Sequence, residues 1–493
     1  MGAGEGGRTA VKRKRFIARE RSTHRHACGV AIILALSACA SDDGATGLQS
    51  TLLQEADIVI TTVDPDTATI DTTITVRITG SGFTEGSTAT WIVDTTAATQ
   101  IRTLSTSWKS ENELEALIII SPEAELRSYS IRIRGKKGKQ GIAVERFRVV
   151  AKPTALPEPG TVSEAIDIND SGVVVGYADD MSGAFVAMRW AQVDSAWSYT
   201  ILGTGTAVAI NNEGLILRRV YDRLSRTWRS WIHMPSGAEV DFGQVVVEDI
   251  SNDGTIIGSI SDAEQKSTSV VWRRVSPASW GPPQTLPIPA GFTGAWFGVI
   301  SGAGHILGAI SSSDSAFSVV WRYRDGQWLM PEPVELNLPG WASEINDATA
   351  LAGSVLPCTP GLPNCYASPA FWPSPGGARK NLPTLYNTQA FVNGMNNANQ
   401  VVGSALVHYN DPSGGGPLAA LVWHAVIWFP SSQWPEDLGA IRPSHAGEAV
   451  AINNRGWVAG SMSNNSYSLQ RHATVWKLPA TPTISFRLAS SRH

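Results

Sequence analysis

Cys358 and Cys365 flank the stretch Thr359-Pro-Gly-Leu-Pro-Asn364, a spacing that suits a local disulfide closing a loop. Such a bond needs an oxidising compartment. One cysteine pair without a neighbouring histidine gives no four-ligand metal site. Asp167-Ile-Asn169-Asp170 and Asp249-Ile-Ser251-Asn-Asp253 echo calcium loops, but Ala178 and Ile260 stand where the closing carboxylate would be. Turns stabilised by Asn and Asp side chains are the expectation there instead. Trp197, Trp280, Trp328 and Trp434 recur at similar phase, which reads as packed hairpin residues rather than sugar-stacking platforms. His424, His445 and His472 have no ligand or triad spacing, and His305 with Asp314 is a chance pairing at most. Neither a Gly-x-Ser-x-Gly elbow nor a phosphate loop occurs. The expectation is therefore no catalytic set, no metal and no cofactor.

The one covalent site of another kind lies near the start. Eight basic residues precede a short apolar run, Ala27 to Leu36. Ten residues fall short of the roughly 20 that cross a bilayer core, but suit the apolar part of a signal peptide. Leu36-Ser37-Ala38-Cys39 follows and resembles the lipobox of bacterial lipoproteins at all four positions. The resemblance implies cleavage before Cys39 and a diacylglycerol thioether on its sulfur. Two or three acyl chains make a stable membrane anchor. Ala40 and Ser41 follow, with no Asp directly after Cys39, which in that family implies the outer membrane. The alternative is a plain secretory signal with Cys39 incidental. The basic segment is long, and translation starting at Val11 is a second open alternative.

Without residues 1–38 the chain keeps 31 of its 39 basic and 41 of its 43 acidic residues, a net charge of −10. That balance argues against nucleic acid as a partner. The roughly 450 residues that remain exceed what one core sustains. Residues 39–56 are small and polar and read as a flexible tether. Residues 57–150 read as short strands. In Thr72–Thr79 the alternation of Ile74, Val76 and Ile78 marks a half-buried strand, and Thr88–Val93, Glu113–Ile120, Ser128–Ile133 and Glu145–Val149 are others. Gly135-Lys-Lys-Gly-Lys139 reads as a solvated hairpin tip. Asp64-Pro65, the Ile78-Thr-Gly-Ser-Gly-Phe83 corner, Leu114 to Ile120 and Tyr129-Ser-Ile-Arg-Ile133 resemble the IPT/TIG family of immunoglobulin-like domains. The resemblance implies a β-sandwich acting as a spacer.

From Ala151 a motif recurs: apolar, Asn, two residues, Gly, apolar residues, Gly. It begins at Ile168, Ile210, Ile250, Ile300, Ile345, Met395 and Ile452. Ser replaces Asn at 251 and 301, Thr349 and Asn399 replace the first Gly, and Arg218 replaces the second. Each copy is followed by a strand ending on Trp, at Trp190, Trp231, Trp272, Trp321, Trp372, Trp428 and Trp476. A Leu-Gly or Leu-Pro segment such as Leu438-Gly439 then gives a fourth strand. Four antiparallel strands at this period describe a propeller blade. Residues 151–480 thus read as a seven-bladed β-propeller, and the fold class as all-β, a sandwich followed by the propeller. Thr154-Ala-Leu-Pro157 reads as an orphan outer strand that completes the last blade beside Thr474–Lys477, with the tail 481–493 as the competing supplier. Ala451-Ile-Asn-Asn-Arg-Gly456, Val401-Val-Gly403, Ala425-Val-Ile-Trp428 and Asp437-Leu-Gly439 resemble the bacterial extracellular HAF repeats, a family that fixes architecture more than activity.

The functional expectation is a cell-envelope lipoprotein, membrane-bound through Cys39. Its propeller offers a rim or central face to a protein or glycan partner. A propeller-based polysaccharide hydrolase or lyase is the alternative enzyme reading, and a passive adhesion element a third. The inserted segments around Cys358–Cys365 and His408–Leu421 mark the face expected to carry recognition.

Overall fold

A computed structural model describes residues 58–479, apart from 265, 336–339, 356–366, 386–388, 410–419, 431–434, 440–445 and 464–469. Cys39, Cys358, Cys365, Trp434, His445, the tether and the tail lie outside the described residues. The chain is all-β. Its first part is two sheets packed face to face. One contains Val59–Asp64, Thr72–Ser81, Glu113–Ile120 and Ile101–Ser110 in that order. The other runs Thr67–Thr69, Gln140–Val150, Arg127–Arg134, Thr88–Val93, Thr96–Ala97. Alternation drives the packing: Val76 and Ile78 are buried from one sheet, Ile131, Ile133 and Phe147 from the other, and Trp91 stands edge-on to Phe147 at 5.5 Å. The strand Ile101–Ser110 is absent from the sequence expectation. It is an edge strand, half Ser and Thr, with almost no buried apolar side chain to announce it.

The second part is a succession of seven antiparallel sheets of three or four strands among the described residues, each in the manner of a propeller blade, with two small two-stranded hairpins, Arg274–Ser276 with Ser279–Trp280 and Tyr323–Arg324 with Gln327–Trp328, beside them. Sheet 1 is typical. Strand A is Ser163–Ile168, B is Val174–Asp179, C is Phe185–Val193 and D is Ala196–Thr204. The later A strands are Thr206–Ile210, Val246–Ile250, Gly294–Ile300, Gly340–Ile345, Ala390–Met395 and Gly447–Ile452. In sheet 3 the outer place is held by an isolated bridge of Gln284 to Val271 rather than a strand. In sheet 7 it is held by Pro153–Ala155, paired with Thr474–Trp476. The orphan strand before the first repeat therefore completes the last sheet.

Apolar clusters fill every junction. Ala459 and Val475 of sheet 7 pack with Trp190 of sheet 1, Val175 of sheet 1 with Ile216 of sheet 2, and Ile257 of sheet 3 with Phe297 of sheet 4. The cluster at the 6–7 junction continues into the sandwich through Val149 and Ala151. Each sheet buries both faces, so the succession is held by burial worth roughly 1.5–3 kcal/mol per large apolar side chain.

Two features of the motif have specific causes. Strand A carries a register shift at the same point in all seven sheets, for example between Ala165 and Asp167. The bulge drives a strand A carbonyl against strand B, so a Cβ on Gly176 would lie 2.0 Å from Glu164 O, and on Gly460 1.9 Å from Glu448 O. The second Gly is required for this close approach. The first Gly takes a left-handed φ (81° at Gly172), and where it is replaced Thr349 and Asn399 adopt the same conformation, at 63° and 58°.

Candidate functional site: the central channel

Strand A is the innermost strand of each sheet, and the turn after it faces the middle. There the motif asparagine does more than stabilise its own turn. Asn169 Oδ1 accepts the Val173 amide (3.0 Å), as an Asx turn requires, while Asn169 Nδ2 donates to Asn211 O of the next sheet (3.1 Å). The same donation runs from Asn211 to Ser251 O (3.0 Å), Asn346 to Asn396 O (3.3 Å), Asn396 to Asn453 O (3.1 Å) and Asn453 to Asn169 O (2.8 Å). The last closes the ring. Where Ser replaces Asn, backbone takes over: Asn252 N donates to Gly302 O (3.0 Å), and Ala303 N to Asp347 Oδ1 (2.6 Å). The following residue adds a second circuit. Asp170 N donates to Asn212 Oδ1 (2.8 Å), Asp347 N to Asn397 Oδ1 (2.9 Å) and Asn454 N to Asp170 Oδ1 (2.8 Å). Sequence reasoning found the asparagines but read them as local turns, because the partner of each lies 40 to 57 residues away, or 284 at the closure.

Inside this ring is a cavity of about 320 Å³. Its walls carry Asp167, Asp170, Glu248, Asp249, Glu344 and Asp347, and no Lys, Arg or His among the described residues that line it. The bulge delivers three of these carboxyls to the wall, since Asp167, Asp249 and Glu344 each stand two residues before the ring position. Asp167 and Asp249 also tie sheets together: Asp167 Oδ2 accepts Ile210 N (2.8 Å), and Asp249 Oδ2 accepts Ile300 N (2.9 Å). These two are thus inter-sheet clamps, a use the calcium-loop echo does not suggest. All three residues are partly buried. Burial pushes Asp167 up to about 6, against the pull of its two backbone donors. Burial and the charge of Asp167 push Asp249 up to about 7. Burial, then Asp249 and Asp167, hold Glu344 well above the usual carboxylate range.

Five residues before the ring position, the innermost strands of sheets 4 and 5 carry Trp296 and Trp341, 60% and 48% exposed. The Trp296 indole lies over Gly298, whose Cβ would meet ring atoms at 3.3 to 3.7 Å, and Gly298 lines the cavity. The start of strand A is the end at which strands B and C also meet. In sheets 5 and 6 those strands stop at Val355 and Ser368, and at Tyr409 and Ala420, flanking the inserted segments. Trp296 and Trp341 were not singled out from sequence. Their only signal is equal phase to the ring residue.

The repeated strand C tryptophans have a second task. Trp190 Nε1 donates to Pro157 O (2.7 Å), Trp321 to Pro287 O (2.8 Å), Trp428 to Pro383 O (2.7 Å) and Trp476 to Gly439 O (3.3 Å). Each acceptor belongs to the outer segment of the preceding sheet. Sheet 2 departs from this, and its expected Trp needs correction. The residue opposite the first residue of strand B is His233, not Trp231. Arg218, in the place of the second Gly, donates to Thr204 O of sheet 1 (2.8 Å), to His233 Nε2 (2.9 Å) and to Glu239 (2.9 Å), with Trp231 beneath it at 4.0 Å. The guanidinium supplies the inter-sheet donor that the indole supplies elsewhere. Of the second Trp set, Trp280 donates to Gly254 O (2.7 Å) and Trp197 packs on Trp457 at 6.3 Å, as hairpin packing residues do.

Two of the histidines have carboxylate partners that the sequence did not suggest. His424 Nδ1 meets Asp437 at 2.9 Å and His472 Nδ1 meets Glu158 at 2.8 Å. Both partners lie on the strand or segment beside the histidine, so spacing along the chain could not reveal them. Burial raises the Asp437 carboxyl, but the hydrogen bond and charge of His424 outweigh it and leave the group low. These pairs lie within their sheets, away from the residues that line the cavity. His305 and Asp314 do not meet, since one follows the A–B turn and the other lies between strands B and C, at opposite ends of sheet 4. Among the described residues no three His, Cys, Asp or Glu side chains are grouped to hold a metal ion.

No family model matches the chain, and no curated protein matches it. The HAF and IPT/TIG resemblances thus remain resemblances. Solved structures similar to it include TolB from Acinetobacter baumannii, at 11% identity and a TM-score of 0.32, over 52% of this chain and 62% of that one. AofleA from Arthrobotrys oligospora matches at 10% identity and a TM-score of 0.31, over 60% of this chain and 92% of that one. The match spans less than two thirds of the TolB chain. At these scores neither likeness carries an argument about function.

Proposed function

We propose that the chain is a recognition scaffold: a seven-bladed β-propeller behind an IPT/TIG-like immunoglobulin-fold spacer, lipid-tethered at Cys39 and presented at the cell envelope, on the outer membrane that the lipobox resemblance implies or at the cell surface. Its partner is a protein or a glycan. The observation that carries the reading is the polarity of the ring. At one end the inner strands are spent on hydrogen bonds between sheets. At the other, the large aromatic side chains of Trp296 and Trp341 stand exposed. Exposed apolar groups rimmed by polar ones support a contact surface. The inserted segments of sheets 5 and 6 join strands at that same end, and the propeller would hold them as a rigid base holds loops.

The test is capture from envelope extracts by the full chain, beside a variant with 356–366 and 410–419 replaced by short turns. A saturable protein or glycan partner, lost in the variant, is the expected result. Equal capture by both chains counts against the reading.

A polysaccharide hydrolase or lyase draws support from one observation. The Asp249 carboxyl, pushed up to about 7, falls where a general acid works. Both its oxygens already accept backbone amides, from Ile250 and Ile300, which favours the structural role. New reducing ends released from envelope polysaccharide, and lost in Asp249→Asn, would reverse that preference.

A further inference from the structure

We propose that the basic hairpin tip of the sandwich, residues 134–139, docks on anionic phospholipid headgroups of the membrane that holds Cys39, so that the sandwich stands as a strut with the propeller facing away. The inference rests on the lipid-anchor part of the reading above and adds the surface that orients the anchored chain.

Charge singles out the tip. Residues 132–139 hold Arg132, Arg134, Lys136, Lys137 and Lys139 and no acid, in a chain whose net charge from Cys39 onward is −10. Arg134, Lys136 and Lys137 are exposed. The tip has a fixed shape. Gly135 N donates to Lys139 O (2.9 Å) and Lys136 N to Thr84 Oγ1 (3.3 Å), while Lys137 and Gly138 turn the chain through left-handed φ of 57° and 78°. The loop that carries Thr84 adds one acid, Glu85.

The point where the chain enters the sandwich decides what the tip meets. Ile58 lies at the foot of the tip: a Cβ on Gly135 would stand 3.0 Å from Ile58 Cδ1, and one on Gly141 2.1 Å from Ile58 O. Those two glycines flank the lysines. The segment from Cys39 to Ile58 can reach at most roughly 65 Å. A lipid on Cys39 thus holds the tip near its bilayer at an effective concentration on the order of millimolar. The strand Gln140–Val150 runs the other way from the tip, for about 35 Å. Its far end meets the propeller, where Arg148 pairs with Glu436 at 3.5 Å and Val150 packs beside Gly439. Tip and propeller therefore occupy opposite ends of one strand. Each Lys or Arg beside an anionic bilayer strengthens attachment roughly fivefold. The field fades beyond a Debye length of about 8 Å at physiological salt, so it acts on the groups at the contact. The rest of the chain, acidic in balance, is repelled by the same surface.

The experiment is vesicle flotation of the chain from residue 39 onward, which holds every sheet described, with Cys39→Ser so that no lipid on the protein contributes. The vesicles, at millimolar lipid, are phosphatidylcholine alone or with about one third phosphatidylglycerol. Binding to the mixed vesicles is expected to exceed that to phosphatidylcholine at least about tenfold. It should vanish when salt rises from about 0.1 M to about 1 M, which shortens the Debye length from about 10 Å to about 3 Å. Arg134→Gln with Lys136→Gln and Lys137→Gln should cut binding at least about tenfold at unchanged Tm. Arg223→Gln with Lys266→Gln and Arg324→Gln removes the same charge from exposed residues of the propeller and should leave binding within about twofold. Equal binding to both vesicles, no binding by folded protein, or equal losses in the two triple variants overturns the proposal. Displacement by free glycerol phosphate at constant ionic strength marks a soluble-anion site and overturns it too. The mass of the native protein tests the anchor separately. Lipid on Cys39 without tip-dependent binding rejects this docking surface alone. Tip-dependent binding with no lipid on Cys39 rejects the anchor and leaves the affinity of the tip for anionic bilayers standing.

Discussion

The two ends of the inner strands have opposite economies. At the turn end, buried side chains such as Asn169, Asn211, Asn346, Asn396 and Asn453 are each used twice, once within the turn and once across to the next sheet. At the hairpin end the equivalent positions hold Glu164, Thr206, Val246, Trp296, Trp341, Phe391 and Glu448, with no common chemistry and with two exposed indoles. A repeated residue marks a demand that every sheet shares, namely closing the ring. A position free to vary from sheet to sheet marks where the molecule can specialise.

Breaking the shared end should cost most. Asn453→Ala removes the donor to Asn169 O and the acceptor of the Arg455 and Trp457 amides, leaving buried backbone groups unpaired. The expected loss in urea unfolding is about 2–4 kcal/mol, since each unsatisfied buried group costs about 1–3 kcal/mol. Removing Trp296 should change stability by less than about 1 kcal/mol, because the side chain is mostly exposed already. Similar losses for the two would erase the contrast.

Sheet 2 offers the next largest effect. Arg218→Ala strands Thr204 O, His233 and Glu239, with an expected cost of about 2–3 kcal/mol. Converting the sheet to the pattern of its neighbours, Arg218→Gly with His233→Trp, should recover a large part of that loss. The Trp would then reach the outer strand of sheet 1 as Trp190 reaches Pro157. A double variant no more stable than Arg218→Ala would show that the two substitutions do not compensate one another.

A smaller effect should appear with pH. Asp167, Asp249 and Glu344 have carboxyls raised in the folded chain above their unfolded values. Their contribution is fully present below the unfolded pKa of about 4 and is lost as pH rises through the folded values. For Asp167 and Asp249 that window closes near 6 and 7. Glu344→Gln removes one of the three, so its Tm should fall less than the parent's between pH 5 and pH 8. Parallel Tm curves would mean that Glu344 is not held as described.

Much of this architecture was legible in the sequence, and the reasons are specific. The Asn-x-x-Gly turns, the Val-Val-Gly strands and the strand C tryptophans recur because every sheet meets the same geometric demand, so period alone exposed them. Thr154–Pro157 stood out as an outer strand without inner partners, and its pairing with Thr474–Trp476 follows the expected closure. What stayed hidden depends on neighbours distant in sequence. Asp167 and Asp249 resembled metal-loop residues, and their acceptor role was hidden because it reaches strand A of the next sheet, at Ile210 and Ile300. His233 was hidden because Trp231, two residues away, fits the repeated Trp pattern in the sequence. The edge strand Ile101–Ser110 gave no apolar alternation to read. Trp296 and Trp341 look like ordinary strand residues until their exposure is known.

The most direct test of recognition at the hairpin end is capture from envelope extracts by the full chain and by Trp296→Ala/Trp341→Ala, at matched Tm. Loss of the captured partner in the double variant is the predicted result. Undiminished capture by a folded double variant would contradict the assignment of recognition to this end of the ring.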